Sequence, residues 1–260
     1  MKRNSLARRA LRKLRGSAGL VRMRANRILA LGRTLETELA PGHPKLHVIG
    51  DANDYNAMRC AENGRPIRDA NRVLNFAFAL DLVAQLPAGD YAELGTFRGI
   101  TGSLIWARKK PGVTFHCFDT FEGFDDRDLN DKRLDNAGEK AAFANTSIEL
   151  VKNRIAGGDH PELQLHVGFF PETFAGMEDH QFRLIHIDMD LAEPITKALE
   201  IFWPRMVDGG IILVHDYKSL RYPMAAEAVD AYFKARGITV WPLSDRLGTA
   251  MVIKQPGMPV

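Results

Sequence analysis

The residues of this chain best suited to chemistry are acids that end apolar runs. In RLIHIDMDLAEP (183–194), Leu184, Ile185 and Ile187 lead into Asp188 and Asp190, before the turn at Glu193-Pro194. GGIILVHD (209–216) closes on His215 and Asp216, VTFHCFD (113–119) on Asp119, and YAELGTFRG (91–99) carries Glu93 ahead of Gly95 and Gly99. A carboxylate is costly to remove from water without a partner, so each of these acids must face something. Oxygen and imidazole donors from neighbouring strands can hold a divalent cation. An acid beside a glycine turn suits a ligand with a cationic ammonium or sulfonium and repels pyrophosphate.

These side chains need a scaffold that delivers strand ends to one place. From residue 90 onward, strand and helix signals alternate: YAEL, VTFHCFD, LQLHVG, RLIHID and GGIILVHD read as strands. Helical segments lie between them, and ITVWPL and TAMVIKQ flank the turn SDRLG as a terminal antiparallel hairpin. Such alternation predicts an α/β fold with a doubly wound, mainly parallel sheet, whose ligands bind at the carboxyl ends of the strands. A helix is expected from about Ile67 to Gln85 with Leu74, Ala77, Phe78 and Leu82 on one face, and another from about Gly138 to Ala156.

Within that scaffold each strand end has a functional and a plain structural reading. ELGTFRG offers a glycine turn and free helix N–H groups, or only a turn; it lacks the GxGxxG dinucleotide spacing. Asp119, 24 residues after Gly95, can accept both hydroxyls of a ribose or can cap its own turn. Asp188 and the His215-Asp216 pair converge if the fourth and fifth strands are neighbours, about 5 Å apart. Asp190 is a further ligand or the cap of the helix near Pro194. His186 and His116 lie inside strands, His166 near a strand end, and His160 and His180 in loops; His186 is expected to be a hydrogen-bonded core residue. The acidic run Asp125, Asp126, Asp128 and Asp131 lacks the EF-hand arrangement and reads as a solvated, mobile lid over the acceptor site.

The motifs YAELGTFRG, FDTFEGF, NTSIELVKN, GFFPETF, IHIDMDLAEPITKALEIFWPRMVDGGIILVHDY and EAVDAYFKARG occur in this order from about Asp90 to Gly237. In them the sequence resembles the macrocin O-methyltransferase family, class I methyltransferases that use S-adenosylmethionine. The resemblance implies a seven-stranded Rossmann-like sheet with an antiparallel last strand, and magnesium-dependent methylation of a hydroxyl, often on a sugar of a natural product. It places Glu93, Gly95, Thr96, Phe97 and Gly99 at the methionine part of the cofactor. It places Asp119, Thr120, Phe121, Glu122 and Gly123 at the ribose and adenine side, and Ser147 and Thr173 near the adenine. Asp188, His215 and Asp216 take the metal positions, with Asp188 or His215 receiving the acceptor's proton. This chain has His215-Asp216 where the family usually has two aspartates, and Leu191-Ala192 where it usually has a tyrosine after the DxD. Imidazole is a poor magnesium ligand and a better one for manganese, iron, cobalt or nickel.

Composition fits such an enzyme and divides the chain. Hydrophobic residues make up 45% and charged residues 26%, as in soluble globular proteins. The net charge of +3 hides a segregation: residues 1–35 hold eleven Lys or Arg and no acid, leaving 24 basic and 32 acidic side chains in the rest. The expected organisation is a basic amphipathic helical arm (1–35), a loop-rich connector (36–66) and the methyltransferase domain (67–260). The arm has three readings: packing on the body or on a partner subunit of a homo-oligomer, contact with membrane or nucleic acid, or a targeting segment. Two cysteines, Cys60 and Cys117, are too few for a disulfide framework, and no apolar run approaches a membrane span. A cytoplasmic enzyme acting on a small-molecule hydroxyl is expected. The competing expectation is a non-catalytic module that keeps the fold and binds membrane or nucleic acid through its arm.

Overall fold

A strand buried on both faces needs apolar residues at consecutive positions, and Phe182–Ile187 is buried throughout. The computed structural model describes residues 59–60, 65–66, 70–134 and 142–260 of the chain. The basic arm and most of the connector expected above lie outside the described residues. Seven strands form one sheet: β1 (Asp90–Leu94), β2 (Phe115–Asp119), β3 (Leu163–Val167), β4 (Phe182–Ile187), β5 (Met206–Val214), β6 (Trp241–Leu243) and β7 (Thr249–Ile253). Their spatial order is β3-β2-β1-β4-β5-β7-β6. The first five run parallel, and β7 pairs antiparallel with both β5 and β6, as the alternation and the terminal hairpin predict. Within the connector, Arg59–Cys60 pairs antiparallel with Arg65–Pro66 in a separate two-residue ladder.

Successive strand residues face opposite layers, so each strand feeds two cores. On one side α1 (Ala70–Val83), α2 (Ile100–Arg108) and α3 (Ile148–Ala156) cover Tyr91, Phe115, Cys117, Leu184 and Leu213. On the other, α4 (Ala192–Phe202) and α5 (Met224–Lys234) cover Ala92, Phe118, Ile185, Ile187 and Val214. The buried face of α1 is Val73, Phe76, Ala77, Leu80 and Val83. The expected face including Phe78 and Leu82 is incorrect: these are 52% and 56% exposed, because the spacing admits two apolar stripes and the sheet covers only one. The expected helix from Gly138 is likewise too long. The described part, α3, begins after Ser147, whose side chain accepts the Leu150 N–H and caps it. Arg183, fully buried in β4, donates to the carbonyl oxygens of Gly89 and Leu86 at 2.5 and 3.1 Å, satisfying groups left free after α1 ends.

Strand order reverses between β1 and β4. The chain leaves β1 toward β2 and β3, then returns to place β4 on β1's other side. Main-chain bonds extend the ladder past the strands here: Gly95 N–H to Phe118 O, Asp188 N–H to Leu94 O and His215 N–H to Ile187 O, all 2.8–2.9 Å. Four successive strand exits are thereby held in register, and open α/β sheets bind ligands at this kind of crevice.

Candidate active site

Register explains the first side-chain pair. Glu93 of β1 lies directly opposite His186 of β4, and Glu93 Oε1 is 3.0 Å from His186 Nδ1. Both are fully buried. Burial, then the nearby Asp188 carboxylate, pushes the Glu93 carboxyl well above its ordinary value, against the pull of Arg72. Burial also drives the His186 ring down to about 3. His186 is the hydrogen-bonded core residue expected, but its partner is the acid at the first strand end. Glu93 Oε2 is buried and has no hydrogen-bond partner among the described residues, and Glu93 lines the cavity described below.

The turn after β1 is built by close approach. A Cβ on Gly95 would fall 2.0 Å from the Asp188 carbonyl oxygen, and Gly95 has φ +81°, so only glycine lets the two strand exits cross. The approach is to the backbone of the neighbouring strand exit. Gly102, in the first turn of α2, leaves room for Glu93 Oε2, which an added Cβ would meet at 2.8 Å. Asp119 Oδ2 accepts the Phe97 N–H at 2.7 Å and Oδ1 accepts the Phe121 N–H at 2.6 Å. Both expected roles of Asp119 therefore start from a turn cap, with lone pairs left over on each oxygen. Burial pushes this carboxyl up even though those amides favour its charge.

On the far side of the crossing, Asp188, His215 and Asp216 converge. His215 Nδ1 lies 3.0 Å from Asp188 Oδ1 and 2.8 Å from Asp216 Oδ2. Arg72 of α1 donates to Asp188 Oδ2 at 2.7 Å and sits 3.4 Å from His186 Nε2. Burial opposes the Asp188 charge, but His215 and Arg72 outweigh it and hold the carboxyl well below its ordinary value. Burial likewise opposes a charged His215, yet Asp188 and Asp216 raise the ring to about 10. Of its two expected roles, Asp190 does not cap α4: Leu191 is the N-cap and no side chain caps it. Asp190 instead takes a left-handed backbone (φ +60°) and turns inward beside Asp216. Burial, with the Asp188 and Asp216 carboxylates close by, pushes its carboxyl well above its ordinary value.

The three donor atoms of Asp188, His215 and Asp216 lie within 4.8 Å of one another. An octahedral ion with bonds near 2.1 Å sets neighbouring ligand atoms about 3 Å apart, which matches the 3.0 and 2.8 Å separations. Arg72 occupies the other oxygen of Asp188 and leaves Oδ1 toward the cluster. The residues present fit a divalent cation, and the imidazole favours a transition metal over magnesium.

One cavity of about 540 Å³ joins these groups. Of the expected residues, Glu93, Gly95, Thr96, Phe97, Asp119, Thr120, Gly123, Asp188, His215 and Asp216 line it. Gly99, Phe121, Glu122, Ser147 and Thr173 do not: Gly99 caps α2, Phe121 packs in the core and Ser147 caps α3. Arg72 was missed; its signal was a cation four residues before Phe76, on the stripe that continues through Leu80 and Val83. Asp128 also lines the cavity, where burial and the charges of Asp125 and Glu193 push its carboxyl up to about 7. Its loop, expected to be solvated, packs Leu129 against Leu191, Tyr222 and Met224. Arg127 pairs with Glu172 and Arg133 with Glu227, tying the loop to the segment after β3 and to α5.

A doubly wound sheet whose acid-rimmed cavity opens at its topological switch point defines a Rossmann-like α/β enzyme. Residues 64–250 match the family described as Macrocin-O-methyltransferase (TylF). The chain belongs to this family and is an S-adenosylmethionine-dependent O-methyltransferase, which sets aside the non-catalytic alternative. It is 28% identical over 192 residues to the 8-demethyl-8-(2,3-dimethoxy-alpha-L-rhamnosyl)-tetracenomycin-C 4'-O-methyltransferase of Streptomyces olivaceus, covering 69% of this chain and 71% of that protein. Among solved structures, the O-methyltransferase NovP matches with TM-score 0.60 at 20% identity, over 70% of this chain and 80% of that one. The calicheamicin methyltransferase CalS11 matches with TM-score 0.58 at 21% identity, over 69% and 77%. Both share the fold.

Proposed function

We propose that the protein methylates a hydroxyl on a sugar of a natural product, with a divalent cation held by Asp188, His215 and Asp216. The substrate class is taken from the Streptomyces olivaceus relative, whose name specifies a hydroxyl of a rhamnosyl-bearing aglycone. The observation that carries the reading is a single cavity lined both by Glu93, whose Oε2 is buried without a hydrogen-bond partner, and by the Asp188–His215–Asp216 cluster.

S-adenosylmethionine, when bound, supplies the methyl group, and the cation lowers the pKa of an acceptor hydroxyl. Glu93 would meet the cationic methionine end, whose positive charge would offset the cost of ionising this carboxyl. Asp119 uses its free lone pairs for the ribose hydroxyls, and Thr96 and Phe97 shape the turn between them. Asp188 receives the acceptor proton; His215, whose ring is raised to about 10 and whose Nδ1 would go to the cation, has no free nitrogen for it and orients Asp188 instead. Arg72 fixes the rotamer of Asp188 through Oδ2, as outer partners of metal ligands do. Methyl transfer needs an in-line oxygen and little covalent help, so positioning is the main contribution of these residues. Gly99 and Ser147, which cap helices, and Phe121, Glu122 and Thr173 stay in this reading as cofactor-side positions.

The finer expectations for the whole chain stay with this reading. Residues 67–260 carry catalysis, and the 1–35 arm is an accessory segment that packs on a partner or contacts membrane or nucleic acid. Among the described residues no helix is long and apolar enough to cross a membrane. The reading keeps a cytoplasmic location and a homo-oligomer; what supports the oligomer is the exposed pair Phe78 and Leu82 on α1. Asp188→Asn tests the assignment: turnover to S-adenosylhomocysteine with a rhamnosylated aromatic acceptor should be abolished, while calorimetric affinity for S-adenosylmethionine stays within about twofold. Full activity in that variant would refute the role given to the cluster.

A further inference from the structure

A second group of metal-type side chains lies away from the cavity, and none of its members lines it. Asp90 opens β1, His116 is the second residue of β2, and His180 sits in the loop before β4. Asp90 Oδ2 is 3.0 Å from His180 Nδ1 and 3.4 Å from His116 Nε2, and the three donor atoms lie within 4.8 Å of one another. A tetrahedral ion with bonds near 2.0 Å sets its ligand atoms about 3.3 Å apart. His116 Nδ1 is 3.0 Å from Nε2 of His166 in β3. His166 Nε2 lies where it can accept a bond from His116 Nδ1. If His116 gives its Nδ1 proton to His166, its Nε2 lone pair points at a carboxylate, an arrangement that a cation between them satisfies. A histidine ligand whose other nitrogen donates to an outer acceptor is the usual construction around a bound metal. The rings are also fixed in place: Phe118 stacks on His166 at 4.3 Å, and Phe182 packs edge-on against His116 and stacks on His180. His180 is 41% exposed, which leaves a path from solvent and an open fourth position.

We propose that Asp90, His116 and His180 form a binding site for a divalent transition-metal ion of the zinc class, with His166 as its outer partner. Two imidazoles select such an ion over magnesium or calcium. The site joins the entries of β1 and β2 to the loop leading into β4, so its role is to clasp the end of the sheet opposite the catalytic cavity. It is independent of the catalytic reading given above.

The test is zinc titration of full-length protein stripped with a chelator, run in the Asp188→Asn background so that zinc at the catalytic cluster does not contribute, comparing Asp188→Asn with its His180→Ala and Asp90→Asn double variants by calorimetry and thermal melting. Asp188→Asn should bind zinc with Kd tighter than about 10 μM. Adding His180→Ala or Asp90→Asn should weaken that binding by about 100-fold or more, at least what losing an outer partner costs. The zinc-induced rise in Tm, read within each variant, should vanish in the two double variants and persist in Asp188→Asn. A variant's own stability does not enter that difference. Weaker binding in Asp188→Asn, or equal binding in the double variants, would overturn the proposal and leave a hydrogen-bonded histidine–carboxylate group only.

Discussion

Arg72 is the residue whose importance is least visible beforehand and most explicit afterwards. It reaches from α1 across the top of β4, holds Asp188 Oδ2 at 2.7 Å and leaves Oδ1 toward His215. Arg72→Met should lower kcat by about 10–100-fold, the usual cost of removing an outer partner of a metal ligand, with cofactor affinity nearly unchanged. Steady-state kinetics set beside calorimetry with S-adenosylmethionine would check this, and an unaltered kcat would show that Asp188 needs no such support. At this scale the chain's acids could be recognised as chemistry-bearing because they end apolar runs. Their partners could not be recognised. His186 meets Glu93 because of strand register, and Asp190 turns toward Asp216 because of a left-handed backbone.

Elements position these residues by how they end and cross. Gly95 is required where β1 and β4 leave the sheet, since an added Cβ would lie 2.0 Å from the Asp188 carbonyl oxygen. Gly95→Ala combines that clash with strain at φ +81° and should destabilise the fold by at least about 2 kcal/mol, measured by urea denaturation. Ser147 separates two readings of one position. As the cap of α3, Ser147→Ala should cost about 1 kcal/mol and leave S-adenosylmethionine affinity unchanged. A tenfold loss of affinity without a stability change would return it to the adenine. Strand positions were readable from apolar runs alone, whereas helix faces were less so. Phe78 and Leu82 share a stripe with proper helical spacing, and nothing local says which of two stripes the sheet will cover.

For the whole molecule, the buried centre of the sheet makes stability depend on pH. His186 titrates at about 3 when folded and near 6.5 when unfolded, so the unfolded chain binds more protons between these values. Its contribution is complete above pH 6.5 and is lost as pH falls toward 3, by about 1.4 kcal/mol per pH unit. Urea midpoints taken from pH 7 to 4 should fall with that added slope, and His186→Gln should remove it; parallel profiles for the two proteins would contradict the burial argument. The same contrast runs through the molecule. Alternating strand and helix signals, glycine turns and acids at strand ends are local properties written by side-chain polarity and backbone freedom. From these the parallel sheet, its ligand edge and the acid-bearing exits can be read without coordinates. Which strand lies beside which, which acid keeps its charge and which keeps its proton, and which distant cation stands opposite are set by contacts between segments about 100 residues apart, such as Glu93 with His186 and Arg72 with Asp188. A carboxyl's charge depends on the dielectric and the partners around it, and those exist only once the chain has packed.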